Sequence, residues 1–263
     1  MKAFHSCVHI IAAIILSALF IGGGNACYGQ SKNINDVVKE FQSELPLSLG
    51  TMGEITSFSI SDGNLFMECR VNEEVVDIPS LKKNPSLMKE SMKQWMLTPN
   101  SGYSFMLDAL EEAGLGLKVL YIGKESGERV SCELTSTEIK GRSAHLSDYD
   151  PQKLLNLQIE LASAQLTQKD LEDSDEIVCT KIYRKGKYVI YEYIADETTI
   201  EALKMIKPAV LKSLTLDELN SDDVTLSQFR RICKNAGVGI AYYYIGKKSG
   251  KKIKLLFPAK ELK

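Results

Sequence analysis

The chain has 263 residues, enough for one large domain or two of ordinary size, and its 44% hydrophobic and 25% charged composition is that of a globular protein. Without residues 1–30 the balance is 31 basic against 34 acidic side chains, a near-neutral total that gives little support to nucleic-acid binding. After those thirty residues no apolar run is long enough to cross a bilayer.

The first segment reads as a secretory signal. Lys2 supplies the positive start, Ile10 to Ile21 is a short apolar run, and small residues follow from Gly22 to Gly29. Cleavage after Ala26 or after Gly29 suits a peptidase that prefers small residues. A second reading makes Cys27 the lipidated first residue of the exported chain. Ala26 fits that pattern, whereas Gly24 stands where a bulky aliphatic is usual. The expected location is the periplasm or the medium, with a lipid-anchored outer surface as the variant that uses Cys27.

The rest divides into a first unit over 31–140, a linker over 141–150 and a second unit over 151–263. In the first unit the spacing of Val37, Val38 and Phe41 predicts a helix from Ile34 to Glu44. Two strands follow around Asp62-Gly63, a dipeptide suited to a tight hairpin. Helices are predicted over about 82–96 and 101–113, then two strands joined by Gly123 to Gly127. In the second unit Pro151 opens a helix reaching about Gln165, and a hairpin turns at Lys185-Gly186. Helices at about 200–214 and 225–236 precede two strands joined by Gly246 to Gly250.

The two units are copies of each other. A shift of 123 positions aligns 63–140 with 186–263 without a gap, and 16 of 78 positions are identical, against roughly 5 expected from average usage. The densest match sets Ala113 to Gly127 against Ala236 to Gly250, and Pro85 and Lys89 fall on Pro208 and Lys212. The predicted fold class is therefore α+β: two tandem α-β-β-α-α-β-β units, each a four-stranded antiparallel sheet with helices on one face.

Alternation assigns the faces. Leu65, Met67, Cys69 and Val71 point inward with Leu117, Val119, Tyr121, Val130, Cys132 and Leu134. Phe66, Glu68, Arg70, Lys118, Arg129 and Glu133 point outward. The same register in the second unit puts Val189, Tyr191, Tyr193, Tyr243, Ile245, Lys252, Lys254 and Leu256 on the open face.

Few residues invite a chemical reading. Gly114-x-Gly116 and Gly237-x-Gly239 end a helix and begin a strand, the reverse of a phosphate loop, so they read as helix C-caps. His145, the only histidine after the signal, lies in the linker and reads as solvated; no metal site or cofactor is expected from the remaining side chains. Two acidic clusters, Asp170 to Glu176 and Asp217 to Asp223, lack calcium-loop spacing and read as solvated loops. Export permits disulfides, and the pairs Cys69–Cys132 and Cys179–Cys233 fit within the units; the alternative is four buried thiols. Seven of the eleven tyrosines lie in the strands of the second unit. With Lys252 and Lys254 beside them, Tyr191, Tyr193 and Tyr243 are the candidate binding surface, against the alternative that the patch is internal.

The segment Leu45 to Gly50, the Leu65 to Val71 strand and the repeated Ala-Gly-x-Gly…Ile-Gly-Lys-x-Ser-Gly block resemble small exported α+β proteins of uncharacterised function from gut Bacteroides-type bacteria, some of them duplicated. The resemblance implies export and this fold and transfers no catalytic residue. The expectation is a non-enzymatic cell-envelope or secreted binding module, with an envelope protein or a glycan as partner. The alternatives are a hydrolase using carboxylates in a cleft between the copies, and a structural protein that self-associates through the tyrosine face.

Overall fold

A computed structural model describes residues 33–97, 104–166, 177–221 and 224–262. The signal segment, Cys27, the acidic run from Asp170 to Glu176, and Asp222 and Asp223 lie outside the described residues. The chain forms two compact units, the change-over falling between Leu154 and Leu155.

In the first unit, helix α1 (Ile34–Ser43) begins where the Asn33 side chain accepts from the Asn35 amide. It buries Val37 and Val38, and its Phe41 ring stacks on Phe58 at 4.7 Å. A two-residue strand β1 (Leu47–Ser48) precedes the hairpin of β2 (Gly53–Ser61) and β3 (Asn64–Val71). Helices α2 (Ile78–Lys83), α3 (Pro85–Met96) and α4 (Ser104–Ala113) lead to β4 (Gly116–Gly123) and β5 (Arg129–Leu134), and a one-turn helix α5 (Ser136–Ile139) closes the unit. The second unit repeats this order with α6 (Pro151–Ala164), β6 (Val178–Lys185), β7 (Tyr188–Ala195), α7 (Glu197–Met205), α8 (Pro208–Leu219), α9 (Val224–Asn235), β8 (Gly239–Gly246) and β9 (Lys252–Phe257).

The α+β class and the tandem arrangement hold, with two differences in detail. The predicted first helical segment is two helices in each unit, because Pro85 and Pro208 each start a new one. Proline has no amide hydrogen to give a preceding turn, and its fixed φ suits a first helical position. The sheets also differ from the four-stranded, all-antiparallel expectation, the first by the added edge strand β1. Their orders are β1-β2-β3-β4-β5 and β6-β7-β8-β9, and the inner pairs β3–β4 and β7–β8 are parallel. Three intervening helices carry the chain back to the end where the previous strand began, so the next strand runs the same way.

Gly114 and Gly237 cap α4 and α9 as predicted, at φ of +64° and +63°. The following amides, of Leu115 and Val238, reach back to the Leu110 and Cys233 carbonyls.

The faces of the first sheet follow the expected alternation: Leu65, Met67, Cys69 and Val71 are fully buried under the helices, and Arg70, Arg129 and Glu133 are exposed on the other side. The second sheet departs from it in one strand. In the first hairpin Ser61 pairs with Asn64 around Asp62-Gly63, whereas in the second Lys185 pairs with Tyr188 around Gly186-Lys187. The shared glycine thus sits at the first loop position in one copy and the second in the other. Asn64 and Tyr188 pair with Gly116 and Gly239, so the copies are 124 residues apart in β3 and β7 but 123 apart in β4 and β8. One extra residue inverts a strand. Val189, Tyr191, Tyr193 and Ala195 therefore face the helices, and Ile190, Glu192 and Ile194 take the other face, where Ile190 and its neighbour Ala241 are themselves buried.

Candidate functional site

The inversion corrects the candidate surface. Tyr191 and Tyr193 are core residues, 2% and 0% exposed. Tyr193 stacks on Tyr244 at 5.3 Å, and Tyr191 lies 5.5 Å from Tyr242 and edge-on to Phe229 at 6.2 Å. These contacts form an aromatic layer between the second sheet and α9, and burial drives the hydroxyl pKa of Tyr191 and Tyr242 well above the usual range. The layer is packing.

Tyr243, Lys252 and Lys254 do come together on the outer face, because the 123-residue offset holds in β8 and β9. Tyr243 pairs in register with Glu192 on one side and Lys254 on the other. The Lys252 and Lys254 ammonium groups lie 5.0 and 5.3 Å from the Tyr243 ring centroid, within cation–π range. Glu192, only 14% exposed in its side chain, faces Lys252 at 3.6 Å and Lys181 at 3.9 Å, and accepts from the Tyr183 hydroxyl at 3.4 Å. The result is a flat cluster with one half-buried ring and one carboxylate among three lysines. Among the described residues Lys254 has no carboxylate partner.

The matching face of the first sheet is built differently. Its charges alternate and cancel: Arg70, Lys118 and Arg129 stand among Glu54, Glu68 and Glu133, with Lys118 facing Glu133 at 3.8 Å. A solvated, self-neutralised face is the simplest account of that side.

Three polar devices are common to both copies, and each serves the scaffold. The first is a bulge. Thr56 and Thr180 sit at the irregular step of their hairpins, and their hydroxyls donate to the carbonyls of Glu68 and Glu192 at 3.5 and 3.2 Å. The second explains the Gly-Lys-x-Ser-Gly block. Glu73, just after β3, accepts the Glu125 and Ser126 amides at 2.8 and 2.9 Å and the Ser126 hydroxyl at 2.5 Å. Glu197, just after β7, accepts the Lys248 and Ser249 amides at 2.9 and 2.8 Å. A β-carbon on Gly123 or Gly246 would collide with these carboxylates, at 2.4 Å from Glu73 Cδ and 2.8 Å from Glu197 Oε1. Hydrogen bonds from the turn hold both carboxyls below the usual range. The third device is an ion pair from the middle helix to the segment after the last strand, Lys89–Glu138 at 2.8 Å and Lys212–Glu261 at 2.9 Å. The gapless alignment sets Glu74 against Glu197, which hides the equivalence of Glu73 with Glu197. The polar residues that the copies share therefore include more than core and turn positions.

The linker holds a groove of about 320 Å³ within the first unit, between α3 and the turns at Arg142–Asp148. Glu90, Lys93, Glu138, Arg142, His145 and Asp148 line it. Its ionisable groups are engaged with one another. His145 Nδ1 is 2.9 Å from Asp148, and Arg142 donates to Asp108 and to the Met96 carbonyl. Burial opposes ionisation of Glu138, yet Lys89 and Lys93 hold its carboxyl down at about 2, so it carries no proton to transfer near neutral pH.

The four cysteines among the described residues, Cys69, Cys132, Cys179 and Cys233, are buried free thiols. Cys69 pairs with Tyr121 and Cys132 with Val119, both on β4, so a whole strand separates them. Two inter-strand spacings put their α-carbons at least about 9 Å apart, beyond the roughly 7 Å that a disulfide spans. The Cys69–Cys132 pairing is therefore excluded by topology. Burial pushes the Cys132 thiol up to about 11 and the Cys69 and Cys233 thiols higher still.

No family model matches the chain, and no curated protein does. A crystal structure of a "putative secreted protein" from Pseudomonas aeruginosa is similar at 14% identity and a TM-score of 0.35, covering 43% of this chain and 96% of that one. No helix among the described residues is long and apolar enough to cross a membrane.

Proposed function

We propose that the chain is an exported, non-enzymatic interaction module of the periplasm, the cell surface or the medium, and that its contact surface is the outer face of the second sheet. One observation carries this reading: Tyr243, Lys252 and Lys254 form a cluster where the first copy has a self-neutralised face. What the copies share holds the fold. The outer face is among what they do not share, and a duplicated scaffold is free to specialise there.

The test compares retention of the purified chain on washed cell envelopes with that of a Tyr243→Ala/Lys252→Ala/Lys254→Ala variant. Those side chains are exposed or half-buried, so the variant should fold, and the same near-ultraviolet tyrosine spectrum would show it. The reading requires the variant to lose retention. Equal retention of both proteins would place the contact elsewhere.

A further inference from the structure

The near-zero net charge conceals a partition between the copies. Residues 31–140 carry 11 basic and 17 acidic side chains, a net of −6, whereas residues 151–263 carry 19 and 15, a net of +4. The second unit is thus the more basic of the two, and where its lysines gather the local field favours an anionic partner although the total charge does not.

The outer face of its sheet concentrates that excess. Lys181, Lys185, Lys252 and Lys254 stand there with Glu192 as the only acid on the four strands. Lys252 and Lys254 are two residues apart on one edge strand, so they project from the same side about 6.8 Å apart. Tyr243 steers both ammonium groups over its ring, which fixes their positions before any ligand arrives. Lys252, Lys254 and Leu256 are exposed along β9.

Resting on the reading of this face as the contact surface, we infer that its partner is an acidic polysaccharide, a linear chain carrying carboxylates. The chemistry and the placement of the cations point to that class. The cationic groups among the described outer-face residues are all lysines, point charges that accept anionic groups presented in varied geometry. The two lysines of β9, with Lys181 and Lys185 on the far edge strand, can meet a polymer whose charges also recur along its length.

The experiment is isothermal titration of the purified full chain with polygalacturonate, with neutral dextran and poly-glutamate as comparators. Polygalacturonate should bind and dextran should not, and binding should weaken about tenfold as salt rises from about 50 to about 300 mM. Lys252→Ala/Lys254→Ala should weaken it about tenfold, while Lys82→Ala/Lys83→Ala on the first unit should leave it unchanged. Tighter binding of poly-glutamate, lost in the same Lys252/Lys254 variant, would overturn the polysaccharide assignment and leave the contact face standing. Equal binding of dextran would overturn the charge argument. Polygalacturonate binding that the variant does not change would remove the ligand from this face. If no polyanion binds while envelope retention still depends on Tyr243, the partner class fails and the interaction reading survives.

Discussion

Replacing Tyr193 by Ala separates the register described above from the one that simple alternation predicts. Tyr193 is fully buried, with its ring 5.3 Å from Tyr244 and 6.0 Å from Tyr242. Truncating such a ring removes its burial and leaves a cavity, which costs about 3–5 kcal/mol. Tyr243→Ala removes a half-buried ring from the opposite face and should cost below about 1.5 kcal/mol. With a urea slope of about 2 kcal/mol per molar, the first change lowers the unfolding midpoint by roughly 1.5–2.5 M and the second by well under 1 M. The two units can be followed separately in one sample. Trp95, the only tryptophan, lies on α3, whereas seven of the eleven tyrosines lie in the strands of the second unit. Near-ultraviolet tyrosine dichroism should show the Tyr193→Ala shift, and tryptophan fluorescence should be unmoved. If Tyr193→Ala costs less than Tyr243→Ala, the assignment of faces is wrong, and with it the position of the contact surface.

Further outcomes follow from the same geometry. Glu73→Gln and Glu197→Gln should each speed amide exchange in the turn that the carboxylate holds, at Glu125 and Ser126 in one unit and at Lys248 and Ser249 in the other; unchanged exchange would refute the turn contact. Both carboxyls have pKa values lowered in the folded state, so their contribution is fully present above the unfolded value of about 4.3 and is lost as pH falls through the folded value. Glu138 follows the same sign, with its loss spread between about 4.3 and about 2; Glu138→Gln should flatten the acid limb of the first unit's stability curve. The four thiols should resist alkylation in the native chain at pH 8 and react together after unfolding, with no mass change on reduction; rapid native labelling would contradict their burial. On α8, Leu211→Ala should cost about 2–5 kcal/mol, whereas Leu214→Ala, at a position 58% exposed, should fall within about 0.5 kcal/mol in the same urea titration.

Much of the architecture was legible because period and punctuation agree. The alternation of Leu65, Met67, Cys69 and Val71 gave one buried face, and the glycines at 114 and 237 marked two helix ends. The parallel pairing at the centre of each sheet was not legible from alternation, which is the same for either direction; only the length of the crossover distinguishes them. The candidate surface was partly legible. Tyr243, Lys252 and Lys254 were placed correctly because no residue is gained or lost between β8 and β9 and their counterparts. Tyr191 and Tyr193 were misplaced because glycine can take either position of a tight hairpin loop, and aligning Gly63 with Gly186 hid the extra residue. A signal was present: the 124-residue offset makes Glu68 match Glu192 and Glu73 match Glu197, two polar identities in ten positions. Polar matches within an otherwise apolar strand locate an insertion better than a shared turn glycine does.

The most direct test of the contact surface is hydroxyl-radical and lysine-acylation footprinting of the full chain, free and bound to washed cell envelopes, read residue by residue. The outer face of the second sheet predicts protection at Tyr243, Lys252 and Lys254 and no change at Arg70, Lys118 and Arg129 on the first. Protection confined to the first sheet or to the groove around Glu138 and His145, with Tyr243, Lys252 and Lys254 still modified at the free rate, would contradict it.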